Sequence, residues 1–496
     1  MGFWLSRRAA LSPHRVAIDF EDQTITYREL EDRTIRFGVF LGQASVTKGD
    51  RVAILSENRP EYIEAFFACA KLGAVLAPIS WRLTEPEMRW QLNDSDPSVL
   101  IVSGDYAETA KSIFDGQVLV FDDINRTAVA SAEPEGPGDA STWNDPLMIL
   151  YTSGTTGVPK GAVLTHGNFF WGNLNILVNA DFSSDEVSLV FLPMFHIGGW
   201  NVNTLPVFLK GGMVVLERSF DPSRTLDLIQ SKKVTWLMGV PATYLFMSQQ
   251  PGFEHADLSS VRTMVVGGAP MPESLLKTYA AKGLNIIQGY GLTELAPNAL
   301  LLPMQAAASK LGSSGKPYFF TDTRLMDDDG NLVDAPGTAE IVARGPVVMS
   351  GYWNRPDATD ETIKDGWLHT GDVGRTDEDG FYWIVDRKKD MIITGGENVY
   401  PAEIENVLYD HPGVGEAAVI GIPDDRWGEM VHAIVVPTDP AVTKDSIEKH
   451  CRERLAPFKV PRSIELRADP LPRTPAGKVK KAELRSPWWE GRSTKI

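Results

Sequence analysis

An alternation of short apolar strands with helices is the feature that most constrains the fold of this chain. Residues 51–55 (RVAIL) form an apolar strand pattern, residues 60–73 have apolar side chains at helical spacing, and residues 74–79 (AVLAPI) form a second strand pattern. The same strand pattern returns, with helix-compatible segments between, over residues 186–194, 211–217, 234–241, 261–270 and 285–291. Such a series predicts an α/β fold with doubly wound, mostly parallel sheets.

The texture of the chain changes after residue 310, where short strands alternate with acidic, glycine-containing turns such as MDDDGN and TDEDGF. These turns predict β-hairpins, and so a β-rich subdomain. The last hundred or so residues have the mixed pattern of a small α+β domain, whose first helix begins at Pro401. We place the boundary within residues 386–401, which predicts a large domain over 1–388 and a small one over 389–496.

Composition excludes several classes of protein. The 496 residues carry a net charge of −17, which argues against a broad nucleic-acid or anionic-membrane surface. Two cysteines, Cys69 and Cys451, predict neither a disulfide framework nor a zinc site. We find no signal-peptide core and no run of 18 uncharged apolar residues, so we expect a cytoplasmic protein without a membrane-spanning segment.

Residues 151–161 (YTSGTTGVPKG) follow an apolar strand and combine glycines, hydroxyl groups and a lysine. Glycines at 154, 157 and 161 would let the backbone approach a ligand closely, while the hydroxyls and Lys160 would bind an anion with many oxygens, such as a polyphosphate. The spacing is not that of a Walker A loop, because Pro159 stands where the second glycine should be. A solvated surface loop is the alternative interpretation.

Five motifs occur in the order typical of one family: YTSGTTGVPKG, QGYGLTE (288–294), HTGD (369–372), DRKKDMIITGGENVYPAEIE (386–405) and PRTPAGKVKK (472–481). Together they resemble the adenylate-forming superfamily, which includes acyl-CoA synthetases, firefly luciferase and the adenylation domains of nonribosomal peptide synthetases. The resemblance covers essentially the whole chain and is greatest to fatty-acyl and aryl-acid CoA ligases.

This resemblance implies an ATP-dependent ligase that joins a carboxylic acid to AMP, releases pyrophosphate and passes the acyl group to coenzyme A. ATP, Mg²⁺ and CoA are therefore the expected cofactor and co-substrates. A carboxylic acid with a pKa near ~4 is ionised at neutral pH, so the first step needs positioning and charge neutralisation rather than a general base.

The resemblance also implies the roles of individual residues. Thr293 would contact the α-phosphate, Glu294 would hold Mg²⁺ and Asp372 would accept hydrogen bonds from the ribose hydroxyls. Taken alone, the pentapeptide YGLTE would favour an ordinary surface acid at Glu294, and a turn aspartate after Gly371 is the alternative for Asp372. The complete implied nucleotide site consists of Thr152, Ser153, Gly154, Thr155, Thr156, Gly157, Lys160, Gly268, Ala269, Pro270, Gln288, Gly289, Tyr290, Gly291, Thr293, Asp372, Arg387 and Lys478.

Lys478 is the implied catalytic cation, bridging the acyl carboxylate and the α-phosphate from a loop shaped by Pro and Gly. The alternative is that Lys478 is one lysine of a basic, solvated tail, as we expect for Lys480 and Lys481. In the family the small domain rotates about a hinge residue, which corresponds here to Lys389, and Gly395 and Gly396 would then keep the CoA channel open.

The acid is harder to predict. Amino-acid-activating relatives have an aspartate in the segment that reads PMFHIGG here, where this chain has Phe195 and His196, so a plain carboxylic acid is favoured. His196 is either a gate of the acyl pocket or a satisfied core residue. Trp200, Tyr244 and Ala296 should contribute pocket wall.

That lining suits a medium or long acyl chain or an aryl-propenoic acid, and the sequence does not separate them. A stand-alone enzyme that loads a carrier protein and a catalytically silent nucleotide-binding protein are the rival classes. The oligomeric state also stays open, with a homodimer as one option.

Overall fold

The computed structural model describes residues 1–21, 23–123, 141–152, 158–388, 390–394, 397–424, 426–474 and 477–490. The helices of this part of the chain are α1 Gly2–Leu11, α2 Tyr27–Gln43, α3 Pro60–Leu72, α4 Glu85–Ser95, α5 Ala107–Ile113, α6 His166–Asn179, α7 Leu205–Lys210, α8 Pro222–Lys232, α9 Pro241–Ser248, α10 Glu273–Ala280, α11 Pro356–Thr362, α12 Pro401–Tyr409, α13 Lys444–Arg452 and α14 Lys481–Trp489. Shorter 3₁₀ turns and one π-helical turn, Gly199–Thr204, connect some of them.

The strands belong to four sheets. They are β1 Val16–Phe20, β2 Gln23–Thr26, β3 Arg51–Leu55, β4 Val75–Ile79, β5 Val99–Val102, β6 Gln117–Val120, β7 Pro146–Thr152, β8 Lys160–Thr165, β9 Val187–Val190, β10 Met213–Leu216, β11 Trp236–Gly239, β12 Thr263–Val266, β13 Ile286–Tyr290, β14 Leu300–Leu301, β15 Lys316–Pro317, β16 Asp322–Met326, β17 Leu332–Val333, β18 Gly337–Arg344, β19 Gly351–Tyr352, β20 Ile363–Lys364, β21 Trp367–Thr376, β22 Tyr382–Arg387, β23 Ile392–Thr394, β24 Glu397–Val399, β25 Val414–Asp424, β26 Gly428–Pro437 and β27 Ser463–Leu466.

Two large sheets carry the parallel strands. The first runs in the order β15-β14-β13-β12-β11-β9-β10-β1-β2, and its strands from β13 to β1 are parallel. The second runs in the order β19-β8-β7-β4-β3-β5-β6, with β8 and β19 antiparallel at one edge. The predicted strands at 51–55, 74–79 and beyond, and the doubly wound α/β class, are thereby confirmed.

Helix α3 lies between these two sheets and is buried on nearly every side. Its start and end follow local chemistry: Pro60 occupies the first turn, and Gly73, with φ of +73°, forms a left-handed C-cap whose N–H bonds to the Cys69 carbonyl. Phe66 of α3 stacks on Trp200 of the π-helical turn, with ring centres 4.6 Å apart. The outer faces of the sheets are covered by α8, α9 and α10 on one side and by α4 and α5 on the other. The result is a layered scaffold in which the central helix is buried between the two sheets.

The predicted β-rich subdomain is an antiparallel sheet in the order β17-β16-β18-β21-β20, with β22 paired to β21. Both predicted hairpins are present, since Met326 pairs with Leu332 and Thr376 with Tyr382. Strands β23 to β27 form a fourth sheet with its own core and with α12 and α13, as expected of a small α+β domain. The boundary at 388/389 stays a prediction, because Lys389 lies outside the described residues.

Within the described ranges, we find no helix with the length and apolar character needed to span a bilayer.

Candidate active site

The parallel strands of the first sheet end at a common edge, and the predicted site segments follow them there. Residues 193–196 come after β9, Val240 comes after β11, Gly268 to Pro270 come after β12, and residues 291–294 come after β13. Ligands in open α/β sheets bind outside the carboxyl ends of the strands. The topology therefore brings sequence-distant motifs to one cleft edge.

Glu294 is the anchored carboxylate of this edge. Its Oε1 accepts a hydrogen bond from Thr152 Oγ1 at 3.2 Å and another from the Tyr352 hydroxyl at 2.9 Å. Burial and the neighbouring Glu294 carboxylate raise the pKa of Tyr352 above its usual range, so its hydroxyl stays protonated and donates. Glu294 is only 9% exposed, so its carboxylate is largely shielded from solvent and is oriented by these two hydrogen bonds.

The predicted phosphate loop joins β7 to β8. Thr152 pairs with Lys160 across this hairpin, and the Lys160 Nζ lies 5.2 Å from the centre of the Tyr352 ring. Ser153, Gly154, Thr155, Thr156 and Gly157 lie outside the described residues. Thr293 begins the 3₁₀ turn Thr293–Leu295 that also carries Glu294. The hairpin stem, Thr293 and Glu294 thus form one group.

Gly161 has a different role from the one expected. A Cβ at this position would lie 2.7 Å from Ile149 Cγ2 and 3.3 Å from the Tyr151 ring. The glycine is therefore required because side chains of the neighbouring strand cover it, and the expected close approach of a ligand does not explain it.

Asp372 and Tyr290 meet from different sheets. The Tyr290 hydroxyl donates to Asp372 Oδ2 at 2.7 Å, and Asp372 is 6% exposed. The backbone N–H of Asp372 donates to Thr370 Oγ1 at 3.1 Å, which fixes the backbone that carries the carboxylate. Arg387 is its ladder partner on β22, although the position of the Arg387 side chain lies outside the described structure. Tyr290 thus orients a carboxylate, a contact that the motif did not reveal.

Lys478 reaches the large domain from the small one. A Cβ on Gly268 would lie 3.7 Å from Lys478 Cε, and a Cβ on Gly477 would lie 3.5 Å from Val240 Cγ2. Gly268 has a φ of +82°, a left-handed conformation that favours glycine. The turn that carries Lys478 is closed by two backbone bonds, from Thr474 N to Lys478 O at 2.7 Å and from Gly477 N to Thr474 O at 2.8 Å. The lysine stem therefore lies against the glycine segment at the cleft edge.

The remaining predicted nucleotide residues divide into two kinds. Ala269 and Pro270 are exposed at the edge of the cleft, where a ligand could touch them. Gln288 uses its side chain within the protein, accepting from Met271 N at 3.1 Å and donating to Ser313 O at 3.2 Å. A Cβ on Gly291 would lie 1.7 Å from the Pro297 carbonyl oxygen, so this glycine is required by packing. Gly289, on β13, has a neighbouring Leu301 side chain at ordinary contact distance.

His196 lies near both domains. Burial, followed by the charges of Lys478 and Arg82, lowers the pKa of His196 to about 3, so the ring is neutral at physiological pH. Its Nε2 is buried without a hydrogen-bond partner among the described residues. Phe195 packs edge-on against it at 4.6 Å. A neutral ring near Lys478 is compatible with the predicted pocket wall, and the role of His196 stays a prediction.

Three expected pocket residues lie elsewhere. Trp200 is fully buried, stacks on Phe66 and donates from its indole N–H to the Met194 carbonyl at 2.7 Å. Tyr244, on α9, is fully buried in the core that this helix shares with α10, and its hydroxyl donates to the Val265 carbonyl at 2.6 Å. The Ala296 side chain is buried as well, and its carbonyl accepts from Asn201 Nδ2 at 2.8 Å. Because these side chains are enclosed by protein, the expectation that they line an open pocket is corrected.

The predicted hinge, Lys389, and the CoA-channel glycines, Gly395 and Gly396, lie outside the described residues. Sequence reasoning missed Tyr352 and Val240. Tyr352 is 58 residues from its partner Glu294, and Val240 is an ordinary apolar residue next to a strand end. Nothing in their local sequence separates them from structural residues.

Comparison with known proteins places these motifs in a family. A model described as "AMP-binding enzyme" matches residues 5–353, and a model described as "AMP-binding enzyme C-terminal domain" matches residues 403–478. Feruloyl-CoA synthase of Amycolatopsis sp. is 46% identical over 486 residues, covering 98% of each chain. Long-chain-fatty-acid–CoA ligase FadD13 of Mycobacterium tuberculosis is 39% identical over 496 residues, also covering 98% of each.

Solved structures agree with the sequence comparison. The o-succinylbenzoate CoA synthetase MenE of Bacillus subtilis, in complex with its acyl-adenylate intermediate, superposes with a TM-score of 0.89 at 35% identity and covers 97% of each chain. The same enzyme with ATP and magnesium ion gives a TM-score of 0.88 at 34% identity, covering 97% of this chain and 98% of the other. On these grounds the chain belongs to the AMP-binding enzyme family, among its AMP-forming carboxylic acid–CoA ligases.

Proposed function

We propose that this enzyme activates an aryl-propenoic acid of the ferulate or 4-coumarate type and transfers it to CoA. The carrying observation is the 46% identity with feruloyl-CoA synthase over 98% of both chains.

The proposed first step uses Lys478 and the phosphate loop. The acid enters as a carboxylate, and the Lys478 ammonium neutralises its charge against the α-phosphate of ATP as the two anions meet. Thr293 contacts the α-phosphate, while Lys160 and Thr152, with Ser153 to Gly157, bind the outer phosphates. Neutral His196 lines the acyl site near Lys478, where a protonated ring would oppose the lysine charge.

Glu294 is the proposed ligand of Mg²⁺, which neutralises phosphate charge when it is bound. Thr152 and Tyr352 both donate to Oε1, and together they would hold the Glu294 carboxylate in place for the cation. In the described ranges, no group of three or more His, Cys, Asp or Glu side chains could hold a metal ion. A single carboxylate with nucleotide phosphates suits magnesium, which is seldom held by an all-protein cage.

Asp372 is the proposed acceptor for the ribose hydroxyls, and Gly268 to Pro270 with Tyr290 would contact the adenine. Gln288, Gly289, Gly291 and Arg387 complete this side of the site. The second step requires that Lys478 leave, and we propose that the small domain, residues 389–496, rotates about Lys389 so that Gly395 and Gly396 line the path of CoA.

A cytoplasmic location belongs to this proposal, because Cys69 and Cys451 are both buried free thiols, as expected in a reducing compartment.

A long-chain fatty acid is the second candidate substrate, favoured by the 39% identity with FadD13. Thioester formation should be measured with ferulate, 4-coumarate, indoleacetate, dodecanoate and palmitate, each with ATP, Mg²⁺ and CoA. We expect kcat/KM for ferulate or 4-coumarate to exceed that for palmitate by at least about 10-fold, which corresponds to about 1.4 kcal/mol. A preference for palmitate would select the second candidate.

Pyrophosphate release with and without CoA tests the rival classes. Accumulation of acyl-adenylate without thioester in the presence of CoA would favour loading of a carrier protein. Absence of pyrophosphate release with every acid would favour a silent nucleotide-binding protein.

A further inference from the structure

Asp94, in the last turn of α4, is the centre of a hydrogen-bond network behind the proposed phosphate loop. Its Oδ2 accepts from the Tyr151 hydroxyl at 2.9 Å, and its Oδ1 accepts from Arg355 Nη2 at 2.6 Å. Its backbone carbonyl accepts from the Trp353 indole N–H at 3.0 Å. The Asp94 side chain is only 9% exposed, so Tyr151 and Arg355 satisfy its carboxylate in place of water.

Two of these partners, Tyr151 and Trp353, are direct sequence neighbours of the two donors to Glu294. Tyr151 directly precedes Thr152, and Trp353 directly follows Tyr352. Thr152 and Tyr352 are the residues that donate to Glu294 Oε1. Consecutive side chains in a strand point to opposite faces, so β7 presents Tyr151 to α4 and Thr152 to Glu294.

The strand β8 joins the two segments into one unit. Trp353 N donates to the Gly161 carbonyl at 2.7 Å, and Tyr352 pairs with Ala162 in the β19–β8 ladder. The Tyr151 ring covers Gly161, where no Cβ fits. Movement of Asp94 would therefore be passed to both donors of Glu294 through stiff, hydrogen-bonded strands.

The charges of the network are balanced. Arg355 supplies the cation opposite Asp94. Burial and the Asp94 carboxylate raise the pKa of Tyr151 above its usual range, so the tyrosine donates its proton to the bond at every physiological pH. An aspartate with a charged and a neutral donor is held in one geometry.

We propose that Asp94 is a positioning residue for the magnesium–phosphate site: it holds Tyr151 and the 353–355 segment so that Thr152 and Tyr352 fix the Glu294 carboxylate. Asp94 touches neither of those donors, so it acts only through their neighbours. This inference rests on the proposed role of Glu294 as the Mg²⁺ ligand.

The test is the gain in ATP affinity that Mg²⁺ provides, measured by calorimetry on the full-length protein without acid or CoA. Asp94→Asn should reduce that gain about 3- to 10-fold, and Tyr151→Phe, which keeps the carboxylate, should reduce it about 2- to 5-fold. Glu294→Gln should reduce it more than either. ATP affinity in EDTA should change less than 2-fold in the Asp94 and Tyr151 variants.

Asp19→Asn is the matched control. Asp19 lies on β1, in the other large sheet, and its buried carboxylate pairs with Lys232 at 2.6 Å. It should leave the magnesium gain as in the wild type. A wild-type gain in both Asp94→Asn and Tyr151→Phe, or an equal loss in Asp19→Asn, overturns the proposal. If Asp94→Asn does not fold, Tyr151→Phe alone decides. A wild-type protein whose ATP binding does not depend on Mg²⁺ would instead overturn the proposed function of Glu294.

Discussion

The two sides of the nucleotide cleft are built differently. Glu294 is fixed by donors from two other chain segments, Thr152 on β7 and Tyr352 on β19, within hydrogen-bonded sheets. Lys478 lies on a short turn whose backbone bonds run within residues 474–478 and whose stem approaches the large domain at Gly268. The scaffold anchors the Glu294 carboxylate, while backbone bonds within residues 474–478 shape the turn that carries Lys478.

The Glu294 carboxylate is preorganised by the scaffold, whereas Lys478 is proposed to move with its domain. A carboxylate that binds a cation gains from a fixed geometry, because no reorganisation is then needed when the phosphates bind. In the proposed rotation, a lysine that serves one of two half-reactions gains from a turn that keeps its shape while the small domain moves.

The largest expected effect comes from Lys478→Ala, which removes the cation proposed to bridge the carboxylate and the α-phosphate. Adenylation should fall about 10²- to 10³-fold, corresponding to about 3–4 kcal/mol of transition-state stabilisation. Thioester formation from supplied acyl-adenylate should change less than about 3-fold. The two rates are read from pyrophosphate release and from chromatographic thioester assay. Lys480→Ala, which removes an exposed lysine paired with Glu483, is the control and should change neither rate more than 2-fold. Equal losses in both half-reactions of Lys478→Ala would erase the contrast between the two sides.

A smaller effect is expected inside the scaffold, at Glu64 of α3. Burial and the nearby Glu61 carboxylate raise the pKa of Glu64 to about 7, even though Arg33 lies 3.3 Å away. The unfolded chain titrates near its ordinary value of 4.5, so between these values the folded state holds more protons and stability falls as pH rises. At pH 8 the loss is at most about 3 kcal/mol.

At pH 8, the free energy of unfolding of Glu64→Gln should therefore exceed that of the wild type by about 1–3 kcal/mol, measured by denaturant titration. At pH 5 the two proteins should have nearly the same free energy of unfolding. Equal shifts at the two pH values would show that the substitution acts through packing alone. Adenylation kinetics should stay within about 2-fold, because α3 lies behind the cleft.

The smallest effect is expected from Tyr290→Phe, which frees Asp372 from one donor on the scaffold side. The KM for ATP should rise about 3- to 10-fold, with little change in the KM for the acid, because a single hydrogen bond to a charged group is lost. Tyr382→Phe is the control, because it removes a tyrosine hydrogen bond that goes to the Thr323 carbonyl at 3.0 Å and not to Asp372. An unchanged KM for ATP in Tyr290→Phe, or the same rise in Tyr382→Phe, would show that Asp372 does not need its tyrosine.

The sequence by itself determined the fold class, the two predicted hairpins, the small α+β domain and the family. These properties follow from contiguous patterns: strand and helix periods are local, and each motif is a short run of residues. The strand predicted at 51–55 and the helix begun at Pro401 are present as expected, because their apolar spacing and helix-start chemistry need no distant partner.

Only the tertiary structure decided which side chains share the site. Trp200 and Tyr244 have the aromatic character of a pocket wall, but rings look the same in sequence whether they line a cavity or fill a core. Tyr352 and Asp94 acquire their importance from partners 57 or more residues away. Through-space hydrogen bonds and burial have no local period, so they become visible only when the sheets bring the segments together.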